Sequence, residues 1–240
     1  MAYKYDVIPI VHEELPLLKY FNIPNQIIGD RWKMSNNSKC VQLKAGFYYN
    51  CSREFDSLGN ITMDGYLQSW RYFEHAKETI KMIFKFRGNC ESKVRKYLES
   101  ISKEGYQRVC IHVRRKDRDN KHMIKVGYNV AEKDFFERAR NFYVSKFSKV
   151  QFIVVTDYKM WCRRNLKDVD ISPFNDVGDD LALMSMCDHA IITGGTFGWF
   201  GAWLSGGTVL YFKGYPRPGS WLDLQTNRND YYPPYWIGIS

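Results

Sequence analysis

The pattern of apolar positions changes character near residue 108. Before it, hydrophobic residues are scattered, and Pro9, Pro16 and Pro24 interrupt any long helix within residues 1–60. A proline inside a helix removes a hydrogen bond and collides with the preceding turn. Ala45-Gly46-Phe47-Tyr48-Tyr49 reads as a short strand, and Gly65 to Trp70 as a second short strand or turn. Residues 71–86 place Phe73, Ile80, Ile83 and Phe84 on one helical stripe, and residues 91–102 space Val94, Leu98 and Ile101 as a helix does. From residue 108 onward two periods alternate. Strands are predicted at Arg108–Val113, Gln151–Thr156, His189–Thr193 and Thr208–Phe212. Helices are predicted at 132–146, with Phe135, Phe136, Ala139 and Tyr143 inward, and at 158–166, 179–187 and 197–205. Strands apolar on both faces, alternating with helices of this length, predict an α/β domain with a doubly wound parallel sheet covered on both sides. That domain is expected over residues 108–240, with residues 1–107 forming a smaller, separate N-terminal region. Such a sheet binds ligands beyond the carboxyl ends of its strands.

Composition narrows the partners. An apolar fraction of 45% with 16% aromatics in 240 residues suffices for a packed core. The net charge of +9 fits nucleic acid, an anionic membrane surface or a phosphate-bearing small molecule. No basic stretch interleaves regularly with aromatics, so no nucleic acid partner is expected. No run approaches the roughly 20 apolar residues of a transmembrane helix, and the first residues, Met1 to Asp6, carry no apolar signal core. Among the six cysteines, no C-x-x-C spacing suggests zinc. Cys110 and Cys187 sit in apolar runs as buried thiols, whereas Cys40, Cys51 and Cys90 could form a bridge in an oxidising compartment. Asn36, Asn50 and Asn60 each begin an N-x-S/T acceptor triplet, as in a lumenal protein.

Three places carry candidate chemistry. In Ile111-His112-Val113-Arg114-Arg115-Lys116-Asp117 a strand runs into two guanidiniums, whose forked donors suit a diphosphate. Asp117 could orient one of them or accept a proton. In Thr193-Gly194-Gly195-Thr196-Phe197-Gly198 glycines turn a strand into a helix whose first N–H groups favour an anion, with Thr196 as the expected N-cap. Asp179-Asp180 opens the preceding helix, where a carboxylate serves the helix dipole or accepts the N1–H and amino donors of a guanine. The triplets Asp117-Arg118-Asp119 and Asp168-Val169-Asp170 lack further oxygen ligands in sequence, so no metal is expected.

These residues, in this order, resemble the α-1,2-fucosyltransferases of glycosyltransferase family 11. His112-Val113-Arg114-Arg115-Lys116-Asp117 resembles the family's H-x-R-R-x-D motif, and Asp180 to Gly207 its later block ending in Gly-Thr-Phe-Gly, an apolar helix and Gly-Gly. Phe152 to Asn165, Gly65 to Phe73 and Pro234 to Gly238 are similar to further family segments. The resemblance covers about residues 60–240. It implies a GT-B-like fold with two Rossmann-like halves, and metal-free, inverting transfer of fucose from GDP-fucose to a galactoside 2-hydroxyl. GDP-fucose is then a substrate, no cofactor is needed, and the acceptor is a galactose-terminated glycan. It further implies that Arg114 and Arg115 bind the diphosphate with Thr196, Phe197 and Gly198, that His112 and Asp180 lie near the guanosine, and that Arg114 and Asp117 are catalytic. Gln68 and Trp70 fall on the acceptor side, and the location implied is the Golgi lumen. The family's glycine-rich opening turn and membrane anchor do not occur in these residues, so the acceptor-side half is expected to be incomplete and transfer poor. The competing expectation is a catalytically impaired nucleotide- or glycan-binding homologue of the same fold.

Overall fold

A computed structural model describes residues 11–12, 16–24, 28–29, 38–42, 60–64, 68–116 and 120–240. The chain divides into two compact units, residues 1–88 with 225–233, and residues 89–224 with 234–240.

In the first unit, β1 (Val11–His12) pairs parallel with β2 (Ile28–Gly29), and β3 (Ser38–Gln42) pairs parallel with β4 (Asn60–Asp64). Asn60, one acceptor triplet, opens β4 opposite Ser38, while Asn36 and Asn50 lie outside the described residues. So does the strand expected at Ala45–Tyr49. The helix expected over 71–86 is broken into two 3-10 turns, Trp70–Tyr72 and Glu74–Ala76, followed by α1 (Lys77–Ile83). Phe73 sits between the turns at φ −137°, outside helical geometry. The residues before it bond elsewhere: the Ser69 hydroxyl donates to the Asp230 carbonyl at 2.7 Å, the Trp70 indole N–H to the Asn229 carbonyl at 2.9 Å, and Arg71 pairs with Asp230 at 3.0 Å. Phe21, 1% exposed, packs against Phe84 and Phe86 with centroids 5.1 and 4.7 Å away.

The second unit carries the regular pattern. Its elements run α2 (Gly88–Ile101), β5 (Gln107–Val113), α3 (Lys121–Val126), α4 (Lys133–Lys146), β6 (Val150–Thr156), α5 (Lys159–Asn165), β7 (Asp170–Ile171), α6 (Val177–Ser185), β8 (His189–Ile192), α7 (Thr196–Ser205), β9 (Val209–Phe212) and α8 (Trp221–Leu224). After α9 (Arg228–Tyr231), which belongs to the first unit, the chain returns as β10 (Ile237–Ile239). All six strands are parallel, in the spatial order β7-β6-β5-β8-β9-β10. Numbered by first appearance within the sheet, that order is 3-2-1-4-5-6, the doubly wound arrangement of dinucleotide-binding folds.

Alternation along β5 separates the two faces of this sheet. Val109, Ile111 and Val113 point to one face, where they join Phe135, Phe136, Ala139 and Tyr143 of α4 in the main core. Cys110 and His112 point to the other, toward α6 and α7; the Cys110 thiol lies beside Cys187, and His112 lies against Gly198. A Cβ on Gly201 of α7 would fall 2.8 Å from the Met184 sulfur of α6, so a glycine there lets the two helices approach closely. Cys90, Cys110, Cys162 and Cys187 are free and buried. The bridge considered for Cys90 is therefore not formed; burial first, then the neighbouring Asp179 carboxylate, pushes its thiol up to about 12.

Candidate functional site

Successive crossovers leave β5 toward β6 on one side, while the chain re-enters the sheet at β8 on the other. The direction of winding reverses between these two strands, and in such sheets ligands bind at the carboxyl ends of the strands that flank the reversal. The two glycine- and arginine-bearing segments singled out in the sequence both emerge there. Ile192 ends β8 beside His112, and the next residue, Thr193, accepts a hydrogen bond from the Arg114 N–H at 3.1 Å while its hydroxyl donates to the His112 carbonyl at 3.3 Å.

Arg114 and Arg115 take different directions. The alternation that buries Val113 against α4 carries Arg115 to the same face. Its guanidinium donates to the Ala131 carbonyl at 3.1 Å and to Glu132 at 3.0 Å, and rests on the Trp161 ring with 4.4 Å to the centroid. Arg115 is 7% exposed. Arg114 emerges on the His112 side, and its Nε pairs with Asp157 Oδ2 at 3.4 Å. The other oxygen of Asp157 accepts the Arg115 N–H at 2.9 Å. Asp157 follows β6 directly, where Val113 of β5 is paired with Thr156. It was not singled out in the sequence, although an acidic residue directly after a buried parallel strand is a signal for this edge. Asp117, the carboxylate of the motif, lies outside the described residues.

The second segment makes the turn differently from the expectation. Gly195, not Thr196, is the N-cap of α7, with φ 92° and ψ 157°. A side chain is strained at that φ, so a glycine occupies the position and no side-chain oxygen caps the helix. Thr196, Phe197 and Gly198 form the first turn of the helix, the place where N–H groups lack an intrahelical acceptor. Phe197 lies against the His112 ring with centroids 5.5 Å apart. A Cβ on Gly198 would sit 2.2 Å from His112 Nδ1, and one on Gly194 would sit 2.6 Å from the Tyr215 ring. These two glycines let an imidazole and a phenol close on the turn.

The acidic pair at α6 also divides. Asp176 caps the helix by accepting the Gly178 N–H at 2.9 Å, which starts α6 two residues before the predicted 179. Asp179 is buried and ion-paired with Lys93 of α2. Asp180 accepts the Ser172 hydroxyl just past β7. Burial first, then the neighbouring Asp179 and Asp176, raise the Asp180 carboxyl from 3.8 to about 6, against the Ser172 bond and Lys159, which lower it. β7 is two strand spacings, about 10 Å, from β5, so Asp180 stands off to the β7 side of Arg114. Gln68 and Trp70 belong to the first unit. Among the described residues no three His, Cys, Asp or Glu side chains gather as a metal cage, and Asp170 of the second acidic triplet accepts from Gln151 at 2.7 Å. No helix among them is long and apolar enough to cross a membrane.

The second unit is a Rossmann-like doubly wound sheet with Arg114 and the start of α7 at its reversal point. The chain belongs to glycosyltransferase family 11: the model of that family, described as Glycosyl transferase family 11, matches residues 1–240. Galactoside 2-alpha-L-fucosyltransferase SEC1 of Bos taurus is 26% identical over 190 residues, covering 75% of this chain and 52% of that one. Galactoside alpha-(1,2)-fucosyltransferase 2 of Gorilla gorilla gorilla is 29% identical over 192 residues, covering 75% and 55%. The chain thus spans about half the length of the curated relatives it matches. Among solved structures, fucosyltransferase NodZ from Bradyrhizobium superposes with a TM-score of 0.50 at 15% identity over 83% of this chain and 82% of that chain. An Arabidopsis thaliana FUT1 mutant in complex with GDP superposes with a TM-score of 0.52 at 11% identity over 88% and 64%. At these identities the likeness is one of fold.

Proposed function

We propose that this chain is the donor-binding part of an inverting fucosyltransferase that moves L-fucose from GDP-fucose to the 2-hydroxyl of a terminal galactoside. The observation that carries the reading is the convergence of Arg114 and the start of α7 on one reversal point, in a member of family 11. Arg114 and the N–H groups of Thr196, Phe197 and Gly198 take the diphosphate. His112 and Asp180 serve the guanosine, with the ionised Asp180 accepting the N1–H and amino donors of the base. Arg115 braces the strand end through Ala131, Glu132 and Trp161 rather than touching the donor.

In the reaction the acceptor hydroxyl oxygen forms a bond to the anomeric carbon as the bond from that carbon to the diphosphate oxygen breaks. GDP leaves with the bonding pair, and Arg114 with the helix start stabilises the charge that develops, a kind of contribution worth roughly 3 kcal/mol per donor. The hydroxyl proton passes to a base, a role assigned to Asp117. Gln68 and Trp70 are assigned to the acceptor side, the chain acts in the Golgi lumen, and no metal takes part.

The test is transfer from GDP-fucose to a β-galactoside, with the linkage and anomeric configuration of the product read by NMR, in buffer with and without EDTA. An α-1,2-linked product formed equally in both supports the reading. Binding of GDP without any transfer favours the catalytically impaired homologue, and loss of turnover with EDTA overturns the metal-free mechanism.

A further inference from the structure

Arg114 is held from both neighbouring strand ends at once. From β8, Thr193 fixes its backbone N–H; from β6, Asp157 pairs with its Nε. The same Asp157 carboxylate uses its second oxygen on the Arg115 N–H, so one side chain fixes the backbone that follows β5 and the guanidinium that leaves it. Strand register makes this possible. Val113 and Thr156 are opposed in the parallel ladder, which sets the residues immediately after them side by side at the carboxyl edge. Two oxygens on one carboxylate, engaging consecutive residues, also hold the direction of the carboxylate itself, because neither contact can turn without loss of the other.

An arginine has rotamer freedom to lose when it binds. An Asp157 carboxylate oxygen within ion-pair distance of Nε, 3.4 Å, draws the guanidinium toward the end of β6 and limits its swing. We infer that Asp157 is a positioning residue of the donor site, acting through Arg114, which it pre-orients toward the diphosphate. The inference rests on the proposed assignment of Arg114 to the diphosphate. Asp157 itself touches no reacting atom. Its negative charge also sets an upper limit on how basic this edge of the sheet is, so the loss of GDP binding expected on its removal runs against simple electrostatics: deleting an anion weakens the binding of another anion.

That reversal of sign makes the idea testable. GDP affinity is measured by calorimetry for the unchanged chain, Asp157→Asn, Arg114→Ala and the double variant, with the thermal midpoint of each. Asparagine keeps an oxygen for the Arg115 N–H, so the strand end stays capped. Asp157→Asn is expected to weaken GDP binding about tenfold in the unchanged background and less than twofold once Arg114 is alanine, since residues that act through one another couple. Asp157→Glu, with its longer arm, should restore part of the loss. Tighter GDP binding by Asp157→Asn, or an equal loss in both backgrounds, overturns the inference. A chain that binds no GDP at all overturns the assignment of the site instead.

Discussion

Arg114 and Arg115 stand next to one another in sequence and face different neighbours, so their substitution should separate binding from stability. Arg114→Lys keeps the charge but loses the planar fork, and is expected to raise the dissociation constant for GDP at least tenfold with little change in unfolding free energy. Arg115→Ala removes hydrogen bonds to Ala131 and Glu132 and the stacking on Trp161. It should lower the unfolding free energy by about 2 kcal/mol in urea titrations. If Arg115→Ala instead abolishes GDP binding at unchanged stability, both arginines are ligands. Asp180 adds a pH dependence. Its carboxyl titrates near 6 in the folded chain against 3.8 as the ordinary value. Between those values the folded chain holds a proton that the unfolded chain has released, so stability falls as pH rises through the window. Above about pH 6 the full cost, on the order of 3 kcal/mol, is present. The proposed contact of Asp180 with guanine uses the ionised form, so GDP affinity should fall about tenfold per unit as pH drops below 6, and Asp180→Asn should flatten that profile. A profile unchanged by Asp180→Asn removes the carboxylate from base recognition. The motif residues were legible because arginines cannot sit inside a buried parallel strand and so had to mark its end. Asp157 was not, since its partner is set by register between strands more than forty positions apart. Thr196 was misread as a cap because the sequence shows hydroxyls but not the φ of Gly195.

At the level of elements, α7 is positioned by the absence of a side chain. Its first turn rests on the His112 ring at Gly198, where a Cβ would stand 2.2 Å from Nδ1. Gly198→Ala therefore has to push the helix start off β5 or turn His112, and the added methyl is expected to cost about 1–3 kcal/mol in urea unfolding. GDP binding should weaken with it, because the N–H groups move with the turn; a variant that loses stability and keeps its GDP affinity would place the anion elsewhere. The elements that position this site were readable in advance: β5, β6, β8, β9, α4 and α7 all lie within two residues of the predicted bounds, since long runs apolar on both faces leave few alternatives. What escaped were short pieces. β7 has two residues and β10 three, too few for any period to show, and α3 carries no buried residue to mark an inward face. The stripe over 71–86 promised one helix, and hydrogen bonds from Ser69 and Trp70 to residues 229–230 broke its beginning into turns.

For the whole molecule the expectation is selective stabilisation. GDP or GDP-fucose at about a hundred times its dissociation constant should contribute about 2.7 kcal/mol, a rise of roughly 5–10 °C in the thermal midpoint. UDP and ADP should do much less, and equal shifts for all three would reject guanine recognition. The route of the chain through its two units has a consequence of another kind. Between β9 and β10 the backbone leaves the second unit, contributes residues 225–233 to the first, and only then returns to complete the sheet. On the ribosome, β9 is made before the strand that covers its outer edge, and the segment between takes about 1–5 s to appear at about 5–20 residues per second. For that interval the nascent polypeptide offers an open row of N–H and C=O groups to any neighbour. Its risk of mispairing is thus set by the tempo of translation, however stable the finished fold.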